Sequence, residues 1–380
     1  MLIQIHILQN YAPSNLNRDD TGSPKDAMFG GYRRGRISSQ CLKRNIRLSD
    51  AFKEAFEKDD LIATRTKMLS DQVKAELENL QVDDETVQAI LARIPEIGRK
   101  GSKTEEAEDE AGEEAATETS EAKTKQLIFL APGEAKLIAE KLAALYKEKG
   151  KKEFAKVKIA DLEAAIQHET PRSVDISMFG RMTTSKAFDN VHASVQVAHA
   201  LSTNAITQEF DYYTAMDDLK PDSEPGADMI GDVEFNSSTY YKYVNIHWEK
   251  LLENLGNDEE VARRAALALV EAAALSQPSG KQNSFAAQNL PDMILLEVSP
   301  RNVPVSYANA FLKPVYPKSD KNLMDASVDA FGTYMGKVSG TFNLKAERAF
   351  TSTQEYEING AEKKASLADL QNWLAEKMGK

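Results

Sequence analysis

Apolar and polar positions alternate from the first residues. In LIQIHIL (2–8), Ile3, Ile5 and Ile7 alternate with Gln4, His6 and Leu8, the period of a half-buried strand. A loop over 9–37 is predicted next. Ser38 and Ser39 then offer N-caps for a helix reaching Phe56. At about 100° per residue, Gln40, Lys43, Arg44 and Arg47 share one face of it, and Leu42, Ile46, Phe52 and Phe56 the other. A weaker helical series runs through Met68, Val73, Leu77 and Leu80, followed by VQAILARI (87–94). QLIFL (126–130) reads as a short strand, and Gly133 to Lys149 and Ile159 to Gln167 as helices. VDISMFGRM (174–182), VQVAHALST (195–203), TYYKYVNIHW (239–248) and DMILLEVS (292–299) read as strands. The helical pattern returns at 257–276, 327–338 and 365–378, the last with Leu367, Leu370, Trp373, Leu374 and Met378 on one stripe. This order predicts an α+β sheet with helices on one face and a mainly helical lobe inserted over about 50–166.

With 380 residues and 42% hydrophobic content, the chain can bury one large core with an inserted lobe, or two domains. No apolar run approaches the roughly 18 residues of a membrane span, and no signal-peptide pattern precedes the first strand. Cys41 is the only cysteine, so an internal disulfide and a cysteine-based metal site are excluded, and a reducing cytoplasm is the expected compartment. The net charge of −12 argues against a nucleic-acid partner until its location is considered. Residues 101–122 hold nine acids and one lysine, a tract expected to be a disordered, solvated loop.

The opposite charge gathers at 18–47. Arg18, Lys25, Arg33, Arg34, Arg36, Lys43, Arg44 and Arg47 face only Asp19, Asp20 and Asp26 there. Gly30, Gly31 and Gly35 would let the loop bring its backbone close to a ligand, and the helix start adds unpaired N–H groups, with Ser38, Ser39 and Gln40 as neutral donors. A nucleotide-hydrolysing GxxxxGK[ST] loop is absent. The number of cations suits a polyanion. Neither His192 nor His199 matches a metal or relay pattern, and His6 is expected to be structural.

The runs NRDD (17–20), KDAMFGGYRRGRISSQCLKR (25–44), MFGRM (178–182), QVAHALSTN (196–204) and DYYTAMDDL (211–219) closely resemble the CasC family, the backbone subunits of the type I-E CRISPR surveillance complex, Cascade. The resemblance implies an open hand: a modified RRM-like (ferredoxin-like) palm of 1–49 and 167–380, helical fingers at 50–166, and a thumb excursion at about 205–236. It implies a non-catalytic protein without cofactor or metal, several copies of which polymerise along the guide RNA. The cations and neutral donors above would hold the backbone and preorder it for pairing with target DNA. Phe179, Arg181 and Met182, with Tyr213, Thr214 and Met216 at the thumb root, would meet and displace bases, and Lys281 and Gln282 would face the nucleic acid. The implied partners are guide RNA, the target DNA strand, neighbouring copies and other Cascade subunits, with no membrane. The rival reading is a metal-dependent target-RNA endoribonuclease using Asp19, Asp20 or Asp26, as in type III relatives. Against it, these carboxylates sit beside Arg18 and Lys25 as simple ion partners.

Overall fold

The computed structural model describes residues 1–97, 124, 127–215 and 229–379. The acidic tract at 101–122 and Met216 lie outside the described residues. β1 (Leu2–Ser14) outruns the predicted strand, and the segment expected as loop is largely a hairpin of β2 (Asp26–Phe29) and β3 (Tyr32–Ile37). The physical reason is the Gly30–Gly31 turn. With φ of +61° and +83°, both residues take the left-handed conformation that a two-residue hairpin turn of matching twist requires.

The basic helix is two helices. α1 (Ser39–Leu48) starts on Ser38, whose Oγ accepts from the Cys41 N–H. α2 (Asp50–Phe56) restarts on Ser49, which is extended and caps the Phe52 N–H. Leu42, Ile46, Phe52 and Phe56 are nonetheless buried in one core. Beyond β4 (Thr64–Thr66) come α3 (Leu69–Asn79), α4 (Asp84–Leu91), β5 (Ile128–Leu130), α5 (Glu134–Phe154) and α6 (Ile159–Ile166). These helices bury a separate core around Leu69, Leu77, Ile90, Ile138, Leu142 and Leu162.

Residues 174–179 form α7 (Val174–Phe179), correcting the predicted strand. Val174 through Met178 are all buried, so no alternation separates two faces, and a short apolar run of this kind does not distinguish strand from helix. Asp175 settles the conformation: its carboxylate accepts from the Ile176 and Ala63 N–H groups and from Ser173 Oγ.

β6 (Val195–Val197), β7 (Ala200–Ser202), β8 (Glu209–Ala215) and the 19-residue β9 (Met229–His247) follow. β8 and the first part of β9 pair antiparallel from Glu209–Phe235 to Ala215–Met229 as a two-stranded ribbon. After α8 (Trp248–Asn254), α9 (Glu259–Leu275) and the short α10 (Gln282–Phe285), β10 (Met293–Ser299) pairs with β1. α11 (Leu323–Thr341), β11 (Glu347–Ser352), β12 (Glu362–Lys363) and α12 (Leu367–Met378) complete the chain. The main sheet runs β12-β11-β10-β1-β9-β7-β3-β2, so the fold is α+β and the basic hairpin is its outer edge.

Helices cover both faces of this sheet, not one. Ile3, Ile5 and Ile7 point to α1, α2, α9 and α12, whereas Leu8, Tyr241 and Tyr243 point to α11. His6 lies on the α11 side as a structural residue, its Nε2 3.0 Å from Glu297 and its Nδ1 2.8 Å from the Tyr241 hydroxyl.

Candidate nucleic-acid interface

The start of α1 is held against the hairpin by Asn17. Its Oδ1 accepts from the Ser38 N–H at 2.8 Å and its carbonyl from the Lys25 N–H at 2.8 Å, while the Lys25 carbonyl accepts from the Arg36 N–H. Lys25, Arg36 and Lys43 thereby gather around His199. The Nδ1 atom of His199 accepts from the Ser39 N–H at 3.3 Å and lies 3.4 Å from Arg36 Nη1. Burial, followed by the charges of Arg36, Lys25 and Lys43, lowers the proton affinity of this imidazole. Lys25 is depressed by burial and then by Arg36, with Cys41, Asp19 and Asp20 opposing, and Lys43 by burial alone. Like charges held together at a helix N-terminus repel, and an anion placed among them relieves the repulsion. Gln40 and Arg44 are exposed beside the cluster, and neither Lys43 nor Arg44 has an ion-pair partner among the described residues.

Arg18 is exposed on the neighbouring loop. Asp19 folds that loop by accepting from the Thr21 N–H, Thr21 Oγ1 and the Ser23 N–H; burial works against its charge, but these bonds hold its carboxyl below the ordinary value. Asp26 pairs with Arg33.

Three of the eight cations are committed elsewhere. Arg34 is fully buried, with Nη1 and Nη2 donating to the carbonyls of Ser202, Thr203, Phe311 and Leu312, and its remaining Nε–H is enclosed away from any phosphate. Arg33 is exposed but engaged by Asp26 and by Gln208 Oε1 at 3.0 Å. Arg47 shares the polar face of α1, yet its guanidinium turns to Asp175 at 3.0 Å and lies 4.3 Å from the Phe129 ring centre. The glycines also serve packing. A Cβ on Gly30 would stand 2.0 Å from the Leu312 carbonyl oxygen, and one on Gly35 2.4 Å from the Tyr240 hydroxyl.

Around α7, Phe179 is half-buried against the main core. Arg181 is buried, its Nη1 2.8 Å from both oxygens of Glu134 and its Nη2 2.6 Å from Thr170 Oγ1, so it ties two parts of the fold together and is withdrawn from any nucleic acid. Met182 follows with 86% of its surface exposed. On the ribbon, Tyr213 and Thr214 are exposed, with Tyr213 lying across Gly231. Lys281 adopts φ +50° before α10, and Gln282 donates through Nε2 to the Pro278 carbonyl while its Oε1 is buried without a partner.

Two residues escaped the sequence reading. His199 matches no motif, yet its place in QVAHALSTN opposite the basic hairpin puts it inside the cation cluster. Lys242 is 4% exposed on β9, bonded through Nζ to the Tyr11 hydroxyl at 3.1 Å, and burial brings it down to about 7. Its signal was visible: it occupies the apolar register between Tyr240 and Val244.

The family of CT1975-like proteins matches residues 3–378. No curated protein matches the chain. Among solved structures, a chain of the "CRISPR RNA-guided surveillance complex, pre-nicking" is 27% identical, with 100% of both chains covered and a TM-score of 0.78. A chain of a "CRISPR RNA-guided surveillance complex" shares the fold at 22% identity, covering 99% of both chains with a TM-score of 0.62.

Proposed function

The chain belongs to the CT1975-like family, the CasC-like backbone family of CRISPR surveillance complexes, and from that premise we propose that it is a non-catalytic guide-RNA-binding subunit of a type I-E Cascade. Several copies line up along the guide, each holding a short stretch of its backbone. The observation that carries this reading is the joining of Lys25 and Arg36 to the start of α1, with the Arg36 N–H bonded to the Lys25 carbonyl and Arg36 and Ser39 both at His199 Nδ1, beside Lys43 and the exposed Arg44 and Gln40 of that helix. Contacts to phosphate and sugar carry no sequence information, which suits a subunit that must accept any guide while base pairing reads the target DNA.

In this reading the RRM-like palm comprises 1–49 and 167–380, the fingers 50–166, and the thumb about 205–236. Arg18, Arg36, Ser39, Gln40, Lys43 and Arg44 hold the backbone, with the buried Lys25 and Ser38 setting the site behind them. The projecting Met182 side chain and the exposed Tyr213 and Thr214 of the ribbon are the elements suited to displacing bases, and Lys281 and Gln282 contribute at the track's edge. Other Cascade subunits and the cytoplasm complete the setting. Asp19 and Asp26 order their loop instead of cutting RNA.

Co-expression with a CRISPR array tests the reading. RNA carrying array spacers is expected to co-purify with a multimer of the chain, and a chain free of RNA would refute it. Incubating that complex with complementary RNA and Mg²⁺ tests the non-catalytic claim: specific cleavage abolished by Asp19→Asn, Asp20→Asn or Asp26→Asn would overturn it.

A further inference from the structure

Arg34 raises a question that the backbone grip does not answer: why the most cationic hairpin of the chain spends a guanidinium on its own fold. Its four carbonyl acceptors come from two separate segments, Ser202–Thr203 and Phe311–Leu312. The same guanidinium lies 6.0 Å from the ring centres of both Phe29 and Tyr32, and the Thr203 carbonyl to which it donates also accepts from the Val315 N–H at 2.9 Å, which sets Tyr316 next to the clamp. Arg34 therefore locks the hairpin to the loop after Phe311, with Gly30 admitting the Leu312 carbonyl at backbone contact.

The outcome is a rigid aromatic surface facing solvent. Tyr32 is 44% exposed, Leu312 44% and Tyr316 60%. Single exposed apolar residues need no explanation, but two exposed tyrosines on segments that one buried guanidinium clamps to each other mark a binding surface. Two features identify what binds. Exposed Lys313 and Lys318 flank Tyr316, with Asp320 the acid closest in sequence. Tyr32, Arg34 and Arg36 also occupy alternate positions of β3 and share one face, so Tyr32 lies about 13 Å along the strand from Arg36 of the cation cluster. Rings beside cations, a few nucleotides' reach from a phosphate track, are the composition of a single-strand binding groove.

We infer that Tyr32 and Tyr316 form a stacking platform for an unpaired nucleobase of the strand whose phosphates lie at Arg36 and Lys43, with Arg34 as the positioning residue. This rests on the proposed RNA-binding reading and adds base contacts at a place that reading leaves empty. Stacking is sequence-tolerant, as the role requires.

The test is anisotropy of the purified full chain with labelled oligouridylate and, separately, oligothymidylate, over a salt series. Tyr32→Ala with Tyr316→Ala is expected to weaken binding by about tenfold or more while leaving the salt slope unchanged, because no phosphate contact is lost. Tyr32→Phe with Tyr316→Phe is expected to bind as the parent does. Loss with RNA alone identifies the guide as the source of the base; loss with both polymers identifies single strands in general. Photocrosslinking of the unmodified chain to 5-bromouridine RNA gives a readout independent of folding, with adducts expected on Tyr32 or Tyr316. Normal affinity of the alanine variant, or adducts confined to other residues, overturns the inference and leaves the RNA-binding reading intact if Lys43→Glu with Arg44→Glu still abolishes binding. Unchanged RNA affinity with weakened self-association in the absence of RNA would assign the surface to a second copy and overturn it equally. A parent chain that binds neither polymer removes both.

Discussion

Lys242 gives the sharpest stability prediction. Its ammonium is buried on β9, bonded to the Tyr11 hydroxyl and 5.5 Å from the Tyr11 ring centre, and burial outweighs the opposing pull of Cys41 of α1. Replacing it by Met keeps much of the volume, and Tyr11 retains its bond to Gln277 Oε1 at 2.6 Å. In the folded chain Lys242 loses its proton near 7, against an ordinary value of 10.5. Between those values the unfolded chain binds a proton that the folded chain does not, so the parent gains stability as pH rises, by about 1.4 kcal/mol per unit for this site. The Met variant lacks that term. Its advantage should be largest below about pH 7, where Lys242 is charged in both states, and should shrink by roughly 2–3 kcal/mol by about pH 9. Urea titrations of both proteins across this range measure the difference directly. An advantage that stays flat with pH, or a variant less stable than the parent at low pH, would refute the claim that burial of an uncompensated ammonium dominates here.

Other consequences follow from the same reasoning. Arg181→Met leaves the buried Glu134 carboxylate with only His168 and the Ala131 N–H and should cost about 3 kcal/mol by denaturant unfolding, with a smaller loss when Glu134→Gln accompanies it. His168, bonded to Glu134 at 2.9 Å, is raised above its ordinary 6.5 by that bond. Its stabilisation is complete below that value and lost as pH rises through the folded one, so His168→Leu should cost most under acidic conditions and least in base, as urea midpoints would show. Gly30→Ala meets both a left-handed φ and the Leu312 carbonyl, and should destabilise the hairpin by more than about 1 kcal/mol; amide exchange across 26–37 should accelerate accordingly.

Long periodic elements were legible because burial on one side writes itself into the sequence. β1, α9, β10, α11 and α12 lie where alternation or helical spacing places them, and Ser38 caps the helix that its position announces. Elements whose pattern was overwritten by another demand were not legible. The β2–β3 hairpin carries too many cations to show a period of two, although its Gly-Gly pair was a turn signal. α7 is buried on every side, so its apolar run carried no face. At the candidate site the same limit applies. The helical wheel placed Lys43 and Arg44 on one face with Arg47, but a wheel does not show that Asp175, 128 residues away, claims the last of them. Nor does charge content reveal that Arg34 points inward to carbonyls on strands and loops distant in sequence.

The central claim is that the cations at the start of α1 hold the RNA backbone. Affinity for guide-length single-stranded RNA over a salt series should be measured for Lys43→Glu with Arg44→Glu, against Lys337→Glu on α11 as a control exposed on the other face of the sheet. The double variant should fold as the parent does, bind RNA far more weakly, and show a salt slope smaller by about 1.4, the loss of two phosphate contacts at about 0.7 each, while the control binds normally. Equal affinity and slope in all three proteins would contradict the account.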